Sequence, residues 1–344
     1  MGKAAIYNPY LDTLGGGEKY TMAFANVLAE LGYTVHVEWK NVEIKSKIEK
    51  RFGIKLHENI SFITSINRGE GYDLCFWVSD GSIPTLRSRN NIIHFQVPFT
   101  GVGGNSLLNK MKLFRVNKVV CNSIFTKRVI DKEYRVDSEV VYPPIDTKMF
   151  KPKRKENIIL YVGRFSNLLQ SKGQDKLVDE FKKLYSNGFS NWKLVLAGGV
   201  EVGADKNVKQ LKKMVGKYPI EIIESPSFSE IKNLYGKSKL FWSASGFGSN
   251  EIKNPEKVEH FGMTLVEAMS AGCVPVVYNA GGHKEIIESG INGYLWQNKR
   301  ELVSFTKKLI GGKGLIKEMS AKAIESSLKY DNEIFKQKII KLLN

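Results

Sequence analysis

The chain has 344 residues, of which 42% are hydrophobic and 25% charged, which excludes an intrinsically disordered protein and leaves room for two domains with separate cores. The 52 Lys and Arg residues outnumber the 35 Asp and Glu residues and give a net charge of +17, which suits an anionic partner such as nucleic acid, lipid or a phosphorylated substrate. The three cysteines have no disulfide or zinc spacing, and neither a signal peptide nor a membrane-length apolar run is evident, so we expect a cytoplasmic chain.

Short apolar runs alternate with amphipathic stretches along the chain, a pattern typical of parallel sheets covered by helices on both faces. The predicted fold class is therefore α/β. In the first half a helix is predicted over Glu18–Leu31, and strands are predicted over Ala4–Tyr7, Thr34–Glu38, Tyr72–Val78, Asn91–Gln96, Lys118–Cys121 and Glu139–Tyr142. The pair Pro143-Pro144 and the charged segment Lys151–Glu156, interpreted as a linker, end a first domain at residues 1–150.

The second half repeats the pattern and forms a second domain, residues 151–329. Helices are predicted from about Asp175, in the Lys-rich stretch that follows and after Gly262, and strands over Asn157–Gly163, Trp192–Ala197, Ile220–Ile223, Leu240–Ala244 and Val274–Asn279. Residues 330–344 are amphipathic and are predicted to form a helix that packs back on the first domain. Ligands of doubly wound sheets bind beyond the carboxyl ends of the strands, so the loops there are expected to carry the chemistry.

A glycine-rich loop, Asp12–Glu18, follows the first predicted strand and precedes the first long helix. Its consecutive glycines allow close backbone approach, and a helix N-terminus offers free N–H groups to a phosphate. A tight turn without a ligand is the alternative interpretation.

Two cations, Arg164 and Lys172, follow the first strand of the second domain. At the mouth of a sheet they would neutralise the charge on a departing diphosphate, although by itself such a pair in a basic chain is more simply explained as surface charge.

Two glutamates, Glu259 and Glu267, flank Gly262 at the start of a predicted helix. The backbone of His260–Met263 is placed to bind sugar hydroxyls and Glu267 to bind a ribose diol, whereas a solvated helix start is the alternative. His94, at the end of a predicted core strand, is either a core histidine or a group that faces the ligand crevice.

Motifs for metals and phosphate loops are missing from the sequence: it has no Asp-x-Asp, His-Glu-x-x-His or Gly-x-x-x-x-Gly-Lys-Ser/Thr. We therefore expect no metal and no required cofactor.

The ordered motifs of the chain resemble the retaining glycosyltransferases of family four. They are the loop Gly15-Gly-Gly17, Val120–Thr126, Val141–Asp146, Leu160-Tyr-Val-Gly-Arg164 with Lys172, Leu196–Gly199, and Glu259–Gly272 followed by Pro275 and Gly281-Gly282. The resemblance implies the GT-B fold, two Rossmann-like doubly wound domains that face a cleft, with an acceptor-side first domain and a nucleotide-sugar-binding second domain. Within the family the motifs look most like the mannosyltransferases that extend lipid-linked oligosaccharides, although the polar stretch Gly246–Glu256 is extra.

The resemblance also implies roles for individual residues. His94, Arg164, Lys172 and Glu259 would be catalytic, and the donor would be bound by Gly16, Gly17, Phe261, Gly262, Met263, Leu265 and Glu267. The donor would be a GDP- or UDP-sugar, and the reaction would move a hexose such as mannose or glucose to a glycan or lipid-linked acceptor with retention and without a metal.

Two other classes of function stay open on the sequence. A nucleotide-sugar epimerase or hydrolase of the same fold would use an internal rearrangement or water instead of an acceptor, and a basic nucleic-acid-binding protein is supported by charge alone. For the transferase we expect no specific nucleic acid, and an anionic membrane surface is a candidate partner of the basic first domain, which would place the enzyme at the inner face of the membrane.

Overall fold

The structure is a computed structural model that describes residues 2–166, 172–201 and 203–344. The chain folds into two compact units. The first comprises Met1–Pro144 and Asn332–Asn344, and the second comprises Ile145–Asp331. Among the described residues, no helix is both long enough and apolar enough to cross a membrane.

The first unit is a parallel sheet with helices on its faces. Its strands are β1 (Lys3–Tyr7), β2 (Thr34–Glu38), β3 (Ile60–Ile63), β4 (Leu74–Val78), β5 (Asn90–Phe95), β6 (Lys118–Cys121) and β7 (Glu139–Val140). Its helices are α1 (Gly16–Glu30), α2 (Ile44–Phe52), α3 (Leu107–Leu113), α4 (Ile124–Tyr134) and the C-terminal α12 (Asn332–Leu343). The strand order is β3-β2-β1-β4-β5-β6-β7.

The core of the first unit forms where α1 covers the sheet. Phe24 of α1 stacks on Phe76 of β4 with ring centroids 4.0 Å apart, and both rings are fully buried. The C-terminal helix α12 belongs to this core, because Phe335 meets the edge of Tyr20 at 5.2 Å between ring centroids. The amphipathic pattern of residues 332–343 thus gives α12 an apolar face that packs in the first unit.

The second unit repeats this architecture. Its strands are β8 (Glu156–Val162), β9 (Lys193–Gly198), β10 (Ile220–Glu224), β11 (Ser238–Ser243), β12 (Val274–Tyr278) and β13 (Tyr294–Trp296). Its helices are α5 (Gln174–Ser186), α6 (Asp205–Val215), α7 (Phe228–Lys237), α8 (Met263–Ser270), α9 (His283–Ile286), α10 (Lys299–Gly311) and α11 (Leu315–Ser327). The strand order is β10-β9-β8-β11-β12-β13, with parallel pairing throughout the described strands.

The interpretation of Lys151–Glu156 as a linker is wrong, because the segment is fixed to the second unit. Lys155 Nζ donates to the backbone oxygens of Ser238 at 2.7 Å and Ala271 at 2.6 Å, and Glu156 already begins β8. The segment has no apolar periodicity because a lysine, rather than apolar side chains, anchors it. Burial lowers the pKa of Lys155, and the three-donor ammonium is satisfied by carbonyl oxygens.

In each sheet the first strand is followed by strands added on one of its sides, and later strands are added on its other side. In the first unit β2 lies on one side of β1 and β4 on the other, and in the second unit β9 and β11 flank β8 in the same way. Loops that follow β1 and β8 therefore lie at the topological switch points, where open α/β sheets bind their ligands.

Candidate functional site

The glycine loop of the first unit lies at the switch point after β1. The helix α1 begins at Gly16, and the Glu18 carboxylate accepts hydrogen bonds from the Gly15 N–H at 2.7 Å and the Thr13 hydroxyl at 2.8 Å. The N–H groups of Gly16 and Gly17 lie in the first helical turn, where no intrahelical acceptor exists. The loop therefore presents a helix N-terminus suited to an anion.

Gln96, which follows β5, closes against this loop. Its Nε2 donates to the Gly17 carbonyl at 3.1 Å, and a methyl group on Gly17 would lie 1.8 Å from its Oε1. A side chain at position 17 would therefore displace the Gln96 amide from its present place. Asn122, after β6, in turn donates its Nδ2 to the Gln96 carbonyl at 3.1 Å.

His94 lies inside the core of the first unit. The imidazole is 0% exposed and stacks on Tyr20 at 4.2 Å between ring centroids, with Phe76 at 5.3 Å. Burial lowers the pKa of His94 to about 3, so the ring is neutral at physiological pH. Nδ1 lies 3.2 Å from the Val120 carbonyl, which only accepts, so Nδ1 carries the proton and Nε2 is an acceptor. Within the described residues, that Nε2 has no hydrogen-bond partner.

Lys172 and Glu259 form the charged centre of the second unit. Lys172 precedes α5, and its Nζ lies 2.9 Å from Glu259 Oε2, although the two residues are far apart in sequence. The side chains are only 13% and 22% exposed. Burial by itself would raise the pKa of Glu259, but the charge of Lys172, with smaller contributions from His283 and His260, lowers it to about 2. Glu259 is therefore a carboxylate at physiological pH.

Arg164 is placed at the same edge, directly after β8. Its side chain is 45% exposed, and its contact with Glu201 is long, 3.8 Å between NH1 and Oε1. Gln174 donates its Nε2 to the Arg164 carbonyl at 3.0 Å, which ties the loop to the start of α5. The guanidinium is thus presented to solvent on a backbone that is held in place.

Two glycines after β12 support the loop that carries Glu259. The Gly282 N–H donates to the Glu259 carbonyl at 2.8 Å. A Cβ atom on Gly281 would lie 2.1 Å from the same carbonyl oxygen, and one on Gly282 would lie 2.4 Å from the Phe261 backbone. Two backbone segments meet here without side chains between them, which explains the sequence Gly281-Gly282.

His283 lies beneath the same loop and was not singled out by the sequence. It is 1% exposed, and its Nδ1 donates to the Tyr278 carbonyl at 2.8 Å. Burial lowers the pKa of His283, while the Glu259 carboxylate raises it. The ring therefore stays neutral and fills the space below Gly262, whose Cβ position would lie 3.5 Å from its Cδ2.

The predicted donor-binding positions from Phe261 to Leu265 offer backbone rather than side chains. Phe261 is 3% exposed and packs against Tyr330 at 5.2 Å between ring centroids, and Leu265 is 1% exposed. Gly262 has φ of 115°, in the region that favours glycine, and caps α8. The N–H groups of Leu265 and Val266 both donate to its carbonyl. Met263 begins the helix and is partly exposed, and its N–H group lies in the first helical turn, where no intrahelical acceptor exists.

Glu267 lies one turn further along α8 and is 9% exposed. The hydroxyl of Tyr235, a fully buried residue of α7, donates to Glu267 Oε2 at 3.1 Å. The bond fixes the orientation of a carboxylate that the sequence predicts to bind a ribose.

The extra stretch Gly246–Glu256 is attached to the site loop. Glu251 accepts a hydrogen bond from the Gly281 N–H at 2.8 Å and pairs with Lys284, and the Glu256 carbonyl lies 3.1 Å from His260 Nε2. The insertion therefore braces both the Gly281-Gly282 turn and the loop that carries Glu259.

A cavity of about 600 Å³ opens beside Lys172 in the second unit. It is bounded by the start of α5 and by one face of α6, and its lining includes Phe165, Gln174, Asn207 and Met214. In the part of the chain that the structure describes, no group of three or more His, Cys, Asp or Glu side chains is arranged to hold a metal ion.

In the second unit the structure joins Lys172 to Glu259. The loop and helix that follow Glu259 carry the predicted donor-binding residues Phe261, Gly262, Met263, Leu265 and Glu267. The other predicted site residues, Gly16, Gly17 and His94, belong to the first unit. Sequence reasoning missed Gln96, Tyr235, Glu251 and His283. These residues act on the site residues through side chains from distant positions. The available signals were the Gly281-Gly282 pair next to His283 and the polar stretch Gly246–Glu256, which contains Glu251.

Comparison with known proteins gives a consistent result. The sequence profile of the family "Glycosyl transferases group 1" matches residues 145–326, more than half of the chain. A GDP-Man:Man(3)GlcNAc(2)-PP-Dol alpha-1,2-mannosyltransferase of Dictyostelium discoideum is 28% identical, over 98% of this chain and 83% of the relative. An uncharacterised glycosyltransferase of Methanocaldococcus jannaschii is 26% identical, over 96% of this chain and 93% of the relative.

Among solved structures, Anabaena HepE in complex with UDP and glucose superimposes with a TM-score of 0.77 at 17% identity, over 100% of this chain and 99% of that chain. At this identity the likeness concerns the fold, and it confirms the predicted GT-B class with two Rossmann-like domains. Neither a nucleotide-sugar epimerase or hydrolase of this fold nor a nucleic-acid-binding protein is favoured by these relatives. With the matched profile and the relatives that cover nearly the whole chain, the protein belongs to the group 1 glycosyltransferases and is a glycosyltransferase of GT-B fold.

Proposed function

We propose that the enzyme transfers a hexose from a nucleotide-diphosphate sugar to a hydroxyl of a glycan or lipid-linked acceptor, with retention at the anomeric carbon and without a metal ion. The observation that carries the proposal is the ion pair of Lys172 and Glu259, whose charged groups lie 2.9 Å apart on side chains that are only 13% and 22% exposed, with Glu259 on the loop that leads into α8. A cation held in a poorly solvated site by a permanent carboxylate is suited to stabilise negative charge that develops in a reaction.

In the proposed reaction the bond between the anomeric carbon and the diphosphate oxygen breaks, and the acceptor oxygen forms a bond to the same face of that carbon. The acceptor proton passes to an oxygen of the departing diphosphate. Arg164 and Lys172 neutralise the diphosphate as it leaves, and the N–H groups of Gly16 and Gly17 bind phosphate oxygens at the start of α1. No step requires a side-chain base.

The two glutamates hold the donor through hydrogen bonds and do not transfer protons. Glu259 stays ionised and accepts hydrogen bonds from sugar hydroxyls, the backbone at Gly262 and Met263 contacts the donor, and Glu267, oriented by Tyr235, accepts the ribose diol. Phe261 and Leu265 contribute through their backbone, because their side chains are buried.

His94 belongs to the proposal as a neutral acceptor. Its buried Nε2 has no hydrogen-bond partner within the described residues, and a hydroxyl of the reacting sugar would donate a hydrogen bond to it. Because the ring is 0% exposed, a ligand reaches this nitrogen only after neighbouring side chains move.

The relatives suggest which donor to test first. The Dictyostelium relative is named for GDP-mannose and a dolichol-linked acceptor, and the solved HepE structure holds UDP and glucose. We propose a GDP- or UDP-hexose donor and a cytoplasmic enzyme that works at the inner face of a membrane.

The decisive experiment is a binding and hydrolysis screen of GDP- and UDP-linked mannose, glucose and N-acetylglucosamine, with DNA as an unrelated anion. We expect micromolar to millimolar affinity for one nucleotide sugar, slow donor hydrolysis without an acceptor, and retention in the product. Salt-sensitive DNA binding without binding of any nucleotide sugar would overturn the proposal.

A further inference from the structure

The helix α3 carries a row of apolar side chains on the surface of the first unit. Its residues Leu107, Leu108 and Met111 are 77%, 62% and 64% exposed, and Phe114, the next residue after the helix, is 94% exposed. The spacing from Leu107 to Met111 and Phe114 is that of one helical face. No residue of α3 is buried. The chain therefore presents a contiguous apolar stripe to water, which a protein without a binding partner for it avoids.

Basic residues surround the stripe. Lys110 and Lys112 lie on α3 and Arg115 follows it, and in the part of the chain that the structure describes neither lysine is paired with a carboxylate. The sequence segment 81–130, which includes α3, contains no Asp or Glu, although Arg87, Arg89, Lys118 and Lys127 pair with carboxylates outside it. Its eight basic residues are Arg87, Arg89, Lys110, Lys112, Arg115, Lys118, Lys127 and Arg128. This fifty-residue segment thus contributes strongly to the +17 charge of the chain.

Hydrogen bonds from α4 and from the N-cap residue hold α3, which carries the stripe, in place. Glu133 of α4 accepts hydrogen bonds at 3.1 Å from the N–H groups of Gly101, Val102 and Gly104 in the loop that leads to α3. The Glu133 carboxylate keeps its single negative charge, which is outnumbered by the three basic residues Lys110, Lys112 and Arg115. The Ser106 hydroxyl caps the helix by accepting from the Asn109 N–H at 3.3 Å. These bonds hold α3 in place, so its apolar face is preorganised. Packing in the core does not explain the apolar residues of this face, because none of them is buried.

We propose that α3 with Phe114 docks the enzyme onto an anionic lipid bilayer, with the apolar stripe in the interfacial region and Lys110, Lys112 and Arg115 among the headgroups. An apolar face with basic residues beside it is the composition of a helix that lies in a membrane interface. The lysine stems extend along the apolar surface and keep their charges in the headgroup layer. The inference deepens the proposed membrane location but rests on α3 alone, independently of the donor site.

The test is sedimentation of the full chain with vesicles of phosphatidylcholine alone, and of phosphatidylcholine and phosphatidylglycerol in equal parts. The protein is expected to bind the mixed vesicles, to bind phosphatidylcholine weakly, and to dissociate as salt is added. The variant Met111→Ser/Phe114→Ser is expected to lower the partition coefficient by roughly tenfold or more. The matched control Val42→Ser/Leu328→Ser removes two apolar side chains that are 65% and 52% exposed elsewhere and is expected to bind as the parent chain does.

The charge is tested separately. Lys110→Gln/Lys112→Gln is expected to weaken binding to mixed vesicles by roughly tenfold and to leave binding to phosphatidylcholine unchanged. The control Lys206→Gln/Lys209→Gln removes two exposed lysines of α6 in the second unit and is expected to bind mixed vesicles as the parent chain does. Equal binding of all variants, or no binding of the parent chain, overturns the proposal. So does a self-associating chain that becomes monomeric in the Met111→Ser/Phe114→Ser variant, because the stripe is then an interface between copies.

Nucleotide-sugar binding in the absence of vesicles separates this result from the proposed function. The stripe variants are expected to bind the donor as the parent chain does. A chain that binds mixed vesicles but no nucleotide sugar would refute the proposed function and leave the docking inference standing.

Discussion

At the scale of single residues, Lys172 has two separable roles, in stability and in turnover. Lys172→Ala should lower kcat by roughly a hundredfold to a thousandfold, because the departing diphosphate loses a cation. It should also destabilise the fold, because Glu259 loses its partner. The double variant Lys172→Ala/Glu259→Gln should recover much of the melting temperature and none of the turnover.

The control for this pair is Lys176→Ala on α5, the helix that follows Lys172, where the side chain is 44% exposed. It should leave both quantities unchanged. Arg164→Ala should lower kcat with little effect on the melting temperature, since its long contact with Glu201 contributes little to stability. Unchanged turnover in Arg164→Ala and Lys172→Ala would refute the role of both cations.

The pKa of Glu259 predicts a pH dependence of stability. Lys172 and the nearby histidines lower this pKa from 4.5 to about 2 in the folded chain, against the effect of burial. Because the folded pKa is the lower one, the stabilisation is fully present above about pH 5 and is lost as the pH falls from 4.5 towards 2. The difference in unfolding free energy between the parent chain and Glu259→Gln should therefore shrink by on the order of 3 kcal/mol over this range. Urea unfolding at several pH values measures it, and a constant difference would contradict the ion pair.

His94 can be tested because its two interpretations predict different outcomes. His94→Leu, which is close in volume, removes a buried nitrogen that lacks a partner within the described residues, together with the Nδ1 hydrogen bond to the Val120 carbonyl. These two effects oppose each other, so the melting temperature should change little. If Nε2 binds the reacting sugar, kcat should fall at the same time. Full activity in a stable His94→Leu protein would show that this residue is a core histidine only.

At the scale of elements, the loop that carries Glu259 depends on the glycines packed against it. Gly282→Ala places a Cβ atom 2.4 Å from the Phe261 backbone, and backbone cannot be displaced as a side-chain end can. We expect a loss of about 2 kcal/mol in unfolding free energy and weaker donor binding. Gly311→Ala, where no atom lies within 4 Å, is the matched control and should cost nothing. Normal donor affinity in a folded Gly282→Ala protein would mean that the loop does not form the donor site.

Most elements were predicted because their patterns are local. The predicted strands Thr34–Glu38 and Lys118–Cys121 are confirmed at both ends, and the long first helix is confirmed with its start moved to Gly16. The strands β3 and β13 were missed, because they are edge strands of only four and three residues, too short for a clear alternating pattern. The predicted strand Glu139–Tyr142 ends at Val140, as the following Pro143-Pro144 cannot donate ladder hydrogen bonds.

At the scale of the whole molecule, the proposed chemistry predicts independence from divalent metal. Arg164 and Lys172 supply the positive charge that metal ions supply in other transferases, so turnover in excess EDTA should equal turnover in magnesium. Steady-state rates after dialysis against chelator measure this. Loss of activity that only magnesium restores would contradict the proposal for the metal while leaving the glycosyltransferase class intact.

The class, the family and the glycine motifs were evident in the sequence by itself, because hydrophobic period, turn residues and motif order are properties of neighbouring residues. Only the tertiary structure decided that Lys172 meets Glu259, that Tyr235 orients Glu267, and that His94 is enclosed by Tyr20 and Phe76. The exposure of the stripe on α3 could not be predicted from the sequence either, because an apolar helical face has the same sequence pattern whether it is buried or exposed to water. Pairing and burial depend on residues brought together from distant parts of the chain, and those contacts exist only after folding.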